Sequence, residues 1–133
     1  MENRDAFIIE LRGETIGSVD NFSSAEEAFQ NKTLRPILKL QNNLLIDVFR
    51  NCISKYKNDF YAYSAEKKLQ YIENAVQKDI KFRNSLKGIV IGLFTIGEYE
   101  QYIRNSSRLN KRMMNMVIER LKSQVLLFEQ EVN

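Results

Sequence analysis

The residues that could carry chemistry in this chain of 133 residues are mainly basic. Four of them fall within nine residues that contain no acid: Arg104, Arg108, Lys111 and Arg112. They surround Ser106 and Ser107 at a predicted helix start, where backbone N–H groups, two hydroxyls and several guanidinium groups could together bind an anion. The pattern predicts an anion-binding or nucleic-acid-binding surface, and the alternative is a solvated helix face.

A second basic group precedes the first one along the chain and is diluted by Asp79. It consists of Lys78, Lys81, Arg83 and Lys87. Aromatic residues that could stack on the bases of a single strand lie close to both groups in the sequence: Phe82, Tyr99 and Tyr102. The chain contains no recognisable nucleic-acid-binding motif.

Charge is distributed unevenly along the chain. Residues 1–30 hold seven acids and two bases, for a net charge of −5, whereas the remaining 103 residues carry +8. Such asymmetry indicates either an acidic segment that folds back over a basic body or a basic surface for an anionic partner. The net charge of +3 does not distinguish between them.

The composition excludes most catalytic arrangements. The chain has no histidine, and therefore no serine–histidine or cysteine–histidine pair and no histidine metal ligand. Its only cysteine, Cys52, lies on a predicted apolar helix stripe and is expected to be buried and structural. We therefore expect no catalytic residue, no metal and no cofactor. The alternative is a histidine-free enzyme whose site lies near a loop at 13–23, Thr33 and Arg35.

Helix-start signals recur along the sequence and predict an all-α fold. Ser24 with Glu27, and Thr95 with Glu98, have the spacing of a capping box. The other predicted starts are Thr33 with Pro36 in the first turn, Ser64, and Asn105-Ser106-Ser107 before a long last helix. The pattern predicts a compact bundle of about six helices in one domain, 1–133, with a less regular segment at 1–23.

The second predicted helix, from about 34 to 56, is the most apolar element. Its stripe is broad enough to indicate a central helix contacted from more than one side. It could also bind a partner helix or form a homodimer. Met113, Met114 and Met116 fit either a core or an adaptable binding surface.

The sequence of two stretches fits either a helix or a strand. Residues 86–96 are rich in β-branched residues, but a buried helix is preferred, with Gly88 and Gly92 on one face letting a neighbour approach closely. Residues 6–11 fit a helix that ends at Gly13, or a strand. The loop from 13 to 23 is long enough to suggest a function.

Three stretches of the sequence resemble a family of small proteins from Bacteroidota that often carry the label glyoxalase. They are SSAEEAFQNKTLRPILKLQNNL at 23–44, FYAYSAEKKLQYIENAVQKDIKFRNSLKG at 60–88 and NSSRLNKRMMNMVIERLKSQ at 105–124. Glyoxalases use histidine and glutamate metal ligands or a reactive cysteine in an α/β fold, and neither fits this chain. The residues therefore do not support the label.

The functional expectation is a non-catalytic interaction protein that docks on a larger assembly through a basic helical surface. The expected partner is a protein or ribonucleoprotein assembly, with RNA or DNA contacts, and a homodimer is a further alternative. Residues 1–9 do not fit a signal peptide, and the longest apolar run is far shorter than the roughly 18–20 residues of a membrane span. The expected location is the cytoplasm, away from membranes.

Overall fold

The structure, a computed structural model, describes residues 2–13, 24–55, 59–125 and 128, and within these ranges all of the regular secondary structure is helical. The all-α prediction is thus confirmed. A π-helical turn, Gln30–Leu34, joins α2 and α3 without a break, and a 3-10 turn, Phe60–Ala62, precedes α5. The helices are α1 (Glu2–Arg12), α2 (Ala25–Phe29), α3 (Arg35–Leu40), α4 (Asn42–Lys55), α5 (Ala65–Lys78), α6 (Ile80–Ile91), α7 (Ile96–Ile103) and α8 (Ser106–Ser123).

The helix that contains α2, the π turn and α3 begins as predicted but does not stop where a cap was expected. Ser24 accepts a hydrogen bond from the backbone N–H of Glu27. Thr33 was predicted to cap a second helix, and this is wrong, because Thr33 is buried inside the continuous helix. Pro36 has no N–H to donate to the carbonyl of Lys32, and the wider π turn before it accommodates this defect.

The predicted helix over 34–56 is divided at Gln41, whose ψ of 4° departs from helical geometry. The side-chain amide of Gln41 donates to the carbonyl oxygen of Ile89 on α6, at 3.3 Å. The apolar residues before and after Gln41 still form the centre of the core. Its buried members are Leu34, Ile37, Leu38, Leu45, Ile46, Phe49, Cys52 and Ile53.

An aromatic cluster closes the core around Phe49. The rings of Phe60, Tyr71, Phe82 and Phe128 all lie with centroids between 4.8 and 6.2 Å from the ring of Phe49. Large rings at these separations bury much apolar surface and favour edge-to-face contacts. Cys52 is also buried, as predicted.

The stretch at 86–96 is helical up to Ile91, so the preference for a helix is confirmed. Asp79 begins this helix by accepting a hydrogen bond from the backbone N–H of Phe82, a start that the sequence analysis missed. The expected close approach of a neighbour to Gly88 and Gly92 is wrong. A Cβ at Gly88 would meet nothing within 4 Å, and one at Gly92 would meet only carbonyls of its own helix.

The starts of α7 and α8 differ in how well the sequence predicts them. The capping box of Thr95 and Glu98 is present in both directions. Asn105 stands at the N-cap of α8 as predicted, but its side-chain oxygen accepts no capping hydrogen bond, and its Nδ2 donates to Glu26. The expected Asn105-Ser106-Ser107 cap is therefore wrong in its chemistry.

The first segment of the chain forms a helix, α1, rather than a strand. It ends at Gly13, whose φ of 74° suits glycine. Polar contacts anchor it: Arg4 donates to the carbonyls of Gly92 and Phe94, and Asp5 accepts from the backbone N–H of Ile96. Residues 14–23, most of the predicted loop, lie outside the described residues.

Candidate functional site

An open groove of about 900 Å³ between the α2–α3 helix and α8 brings many charged side chains together. Helix α8 buries one face in the core through Leu109, Met113, Met114, Val117, Ile118 and Leu121, which leaves its polar face along the groove. Met113 and Met114 thus belong to the core. The groove is lined by Glu26, Gln30, Arg35, Leu38, Arg108, Lys111, Arg112, Asn115, Met116, Glu119, Arg120, Ser123 and Gln124.

At one end of the groove, Glu26 of α2 gathers donors from α8. Its Oε1 accepts from Asn105 Nδ2 at 3.0 Å and from Arg108 Nη1 at 3.2 Å, and its Oε2 lies 3.6 Å from Arg112 Nε. The hydrogen bonds from Asn105 and Arg108 hold the pKa of Glu26 below its usual value. This end of the groove is therefore partly neutralised by the acidic amino-terminal part of the chain.

At the other end, Arg35 of α3 and Arg120 of α8 are held by amide side chains. Arg35 donates twice to Asn31 Oδ1, at 3.2 and 3.0 Å. Arg120 Nη1 donates to Asn42 Oδ1 at 3.3 Å, and Asn42 in turn forms two reciprocal 2.8 Å hydrogen bonds with Gln124. The uncharged amides orient the two guanidinium groups without neutralising their positive charges.

The groove lining has a clear excess of positive charge. Among the described residues of the lining, five cationic side chains face two carboxylates, Glu26 and Glu119, and none carries an aromatic ring. Such a surface attracts polyanions, and it offers hydrogen-bond donors without a platform for base stacking. Chemically, it suits recognition of phosphate groups.

The structure brings together only part of the first predicted cluster. Arg108, Lys111 and Arg112 line the groove, whereas Arg104, Ser106 and Ser107 do not. The two serines belong to the first turn of α8. The predicted site thus shifts from the start of α8 toward its middle and its carboxyl-terminal half.

The second basic group remains apart from this groove. Its four residues lie at the end of α5 and along α6, and none of them lines the groove: Lys78, Lys81, Arg83 and Lys87. The predicted aromatic surface is wrong in two of its three members. Phe82 is buried, and Tyr102 is buried with its hydroxyl donating to Asn110 at 2.5 Å.

Of the alternative enzyme site, the structure describes Thr33 and Arg35, whereas residues 14–23 lie outside the described residues. Thr33 points away from the groove, and its hydroxyl donates to Glu98 Oε2 at 2.7 Å. Arg35 faces the groove instead. Since these two residues lie on different faces of their helix, the described residues form no pocket shared by Thr33 and Arg35 at the groove.

Glu98 is the centre of a partly buried polar network that ties α1 to the body. Arg12, only 5% exposed, binds it through two hydrogen bonds, Nη1 to Oε1 at 2.5 Å and Nη2 to Oε2 at 2.9 Å. Burial raises the pKa of Glu98, but the hydrogen bonds from Arg12, Thr33 and the Thr95 backbone outweigh it, and the pKa lies below its usual value. The Glu98 carboxylate is fully engaged by groups of the protein itself, which indicates a structural role, while the buried Nε of Arg12 has no hydrogen-bond partner in the described part of the chain.

Cys52 lines a second, smaller cavity of about 400 Å³ together with Tyr71 and Lys78. Burial, aided by the negative charge of Asp79, raises the pKa of its thiol. A raised pKa keeps the thiol protonated and poorly nucleophilic. The cysteine therefore fits the structural role expected for it.

Sequence reasoning missed Arg120 and the role of Glu26 in this groove. A signal for part of the groove was present, since Arg108, Lys111, Asn115 and Glu119 recur at helical spacing opposite the apolar stripe of α8. Glu26 lies in the first turn of α2, where an acid complements the dipole of its own helix. Its partners on α8 follow only from the tertiary packing.

Comparison with known proteins finds no match for this chain among protein-family models, curated proteins or solved structures. The resemblance of three stretches to a Bacteroidota family remains a prediction. None of the helices in the described ranges combines the length and the apolar character that crossing a membrane requires.

Proposed function

We propose that the chain is a non-catalytic docking protein that binds the phosphate backbone of a nucleic-acid-containing assembly through the groove between α2–α3 and α8. The observation that carries the proposal is the charge of the lining, five cations against two carboxylates. Proteins gain most of their non-specific nucleic-acid affinity when lysine and arginine neutralise phosphates and release counterions.

The shape of the groove favours an extended ligand over a single small anion. Arg108 and Arg120 are twelve residues apart on α8, which corresponds to about 18 Å along the helix axis at about 1.5 Å per residue. Lys111 and Arg112 lie between them. A row of cations of this length can contact several consecutive phosphates of one strand.

The uncharged lining residues support recognition of backbone rather than of bases. Gln30, Asn115, Ser123 and Gln124 carry donors and acceptors that suit phosphate and sugar oxygens. Since the lining residues that the structure describes include no aromatic ring, we expect binding with little sequence preference. Such binding is appropriate for a protein that docks on an assembly and performs no reaction there.

The proposal is tested by fluorescence anisotropy with short labelled RNA and DNA, single-stranded and duplex, at physiological salt. The groove variant carries Arg108→Ala, Lys111→Ala and Arg112→Ala. We expect it to bind at least about tenfold more weakly than the wild type, because three phosphate contacts are lost. Thermal unfolding of each protein checks that the fold is retained.

A matched control removes the same charge from outside the groove. Lys78→Ala, Lys81→Ala and Lys87→Ala alter the second basic group, which does not line the groove. We expect this variant to keep its affinity within about threefold, since charges beyond a Debye length of about 8 Å are largely screened. Equal losses in both variants, or no binding by the wild type, would contradict the proposal.

A further inference from the structure

The arginines at the two ends of the groove have different hydrogen-bond and ion-pair partners. Arg108 and Arg112 share the carboxylate of Glu26, so part of their charge is already compensated within the chain. Arg35 and Arg120 form no ion pair with any carboxylate of the described residues. The groove therefore has a partly neutralised end and a fully charged end.

The fully charged end is built to hold its guanidinium groups in position. The amide oxygen of Asn31 fixes Arg35 through two hydrogen bonds, and that of Asn42 fixes Arg120 through one. Each guanidinium carries five N–H donors, so several donors remain for a ligand. Because Gln124 binds Asn42 reciprocally, the orientation of Arg120 is itself supported.

Two like charges are brought together at this end at some energetic cost. Burial lowers the pKa of Arg120, and the positive charge of Arg35 lowers it further. An anion placed between two guanidinium groups removes this repulsion and gains charge-assisted hydrogen bonds. Glu119 also lines the groove, yet it forms no ion pair with either arginine within the described part of the chain.

From these observations we infer that Arg35 and Arg120 form a binding site for one phosphate group of the ligand that the groove holds. The inference rests on the proposed function, since it names the part of the same groove that receives the phosphate. A phosphodiester of a nucleic acid and a free phosphate compound share this chemistry. Arg35 and Arg120 donate hydrogen bonds to the phosphate oxygens, and the amides of Asn31 and Asn42 keep the donors aligned.

The experiment titrates the full chain with two probes, inorganic pyrophosphate and a short single-stranded RNA, and follows the arginine Nε–Hε signals by NMR. In the wild type, pyrophosphate shifts the signals of Arg35 and Arg120 first. Arg35→Ala weakens binding of both probes about tenfold, the loss typical of a charged hydrogen-bonded contact. Arg108→Ala, which removes one charge from the other end, leaves pyrophosphate binding within about twofold.

Arg120 is half-buried, so its replacement by alanine could disturb the fold. Arg120→Lys keeps the charge and removes the fork of donors, and Arg35→Lys does the same at the exposed partner. Both lysine variants are expected to bind pyrophosphate several-fold more weakly than the wild type while unfolding at a similar temperature. Full retention of affinity in both would overturn the inference.

The remaining outcomes separate this inference from the proposed function. If pyrophosphate binds at Arg35 and Arg120 but RNA and DNA do not bind, the phosphate site stands and the nucleic-acid function fails. If RNA binds but Arg35→Ala and Arg108→Ala weaken it equally, the function stands and the phosphate site fails. If pyrophosphate shifts neither arginine, the phosphate site is overturned.

Discussion

Glu26 contacts three donor side chains of α8, and this contact limits the charge that the groove offers to a ligand. Its carboxylate binds Asn105 and Arg108 directly and lies close to Arg112. A ligand phosphate would compete with it for the same guanidinium groups. Glu26 thus acts as an internal substitute for a phosphate at one end of the groove.

Replacing Glu26 should therefore strengthen ligand binding. We predict that Glu26→Gln binds a short RNA about three- to tenfold more tightly than the wild type, because two arginines lose a competing charge-assisted partner. Fluorescence anisotropy at physiological salt measures the change. Glu119→Gln is the matched control, since it removes one carboxylate from the same lining without breaking an ion pair to Arg108 or Arg112. An equal gain in both variants would show that only overall charge matters.

The carboxylate of Glu98 connects segments that are distant in the sequence. It joins Arg12 of α1 to Thr33 of the π turn and to the first turn of its own helix. Removing one partner of a buried ion pair leaves the other without compensation, which typically costs about 3–5 kcal/mol. We predict that Glu98→Gln lowers the free energy of unfolding by about 3 kcal/mol at neutral pH in urea denaturation.

The same residue should shape the acid stability of the protein. Since the pKa of Glu98 is lower in the folded state, its contribution to stability is fully present above the ordinary value of 4.5 and is lost as the pH falls through the folded-state pKa. The wild type should lose more stability than Glu98→Gln below about pH 4.5. The exposed Glu100→Gln on the same helix should follow the wild-type curve. Parallel pH curves for the wild type and Glu98→Gln would contradict this account.

At the scale of single helices, α6 carries a glycine that its packing does not require. Gly88 is exposed, lies inside the helix, and leaves open space where a Cβ would stand. We predict that Gly88→Ala raises the free energy of unfolding by about 0.5–1 kcal/mol, because alanine has less chain entropy to lose. Chemical denaturation measures this change.

Gly13 supplies the contrasting case for the same experiment. Its φ of 74° lies in the left-handed region, so Gly13→Ala should lower the free energy of unfolding by about 1–2 kcal/mol. A destabilised Gly88→Ala variant would instead indicate that a partner or a second copy of the chain packs against α6.

Local signals allowed the sequence to predict most helix starts, and non-local contacts explain the failures. Ser24, Ser64 and Thr95 cap their helices through neighbours three residues away, which the sequence shows directly. Thr33 and Asn105 also belong to residue types that favour N-caps, but their side chains donate to Glu98 and Glu26 on other elements. These two side chains therefore bind a buried or charged partner, which only the fold brings close, and do not cap a helix.

At the scale of the whole molecule, the predicted basic cluster contributes three of the five cations that line the candidate site. Arg108, Lys111 and Arg112 share one face of α8 because of helical spacing, so the sequence could place them together. Arg35 and Arg120 lie on helices far apart in the chain, and only the packing of α3 near α8 brings them into one groove. One interpretation of the uneven charge was an acidic segment that folds over a basic body. Glu26, which belongs to the acidic part, does form an ion pair with Arg108 in the basic part.

The most direct test of the central claim is the salt dependence of wild-type binding to a short DNA duplex. The groove carries a net excess of three positive charges, five cations against two carboxylates, so the logarithm of the affinity should fall with the logarithm of salt concentration with a slope of about −2.7. The groove variant should show a much shallower slope. A wild-type affinity that does not change with salt, or the same slope in both proteins, would contradict phosphate binding in this groove.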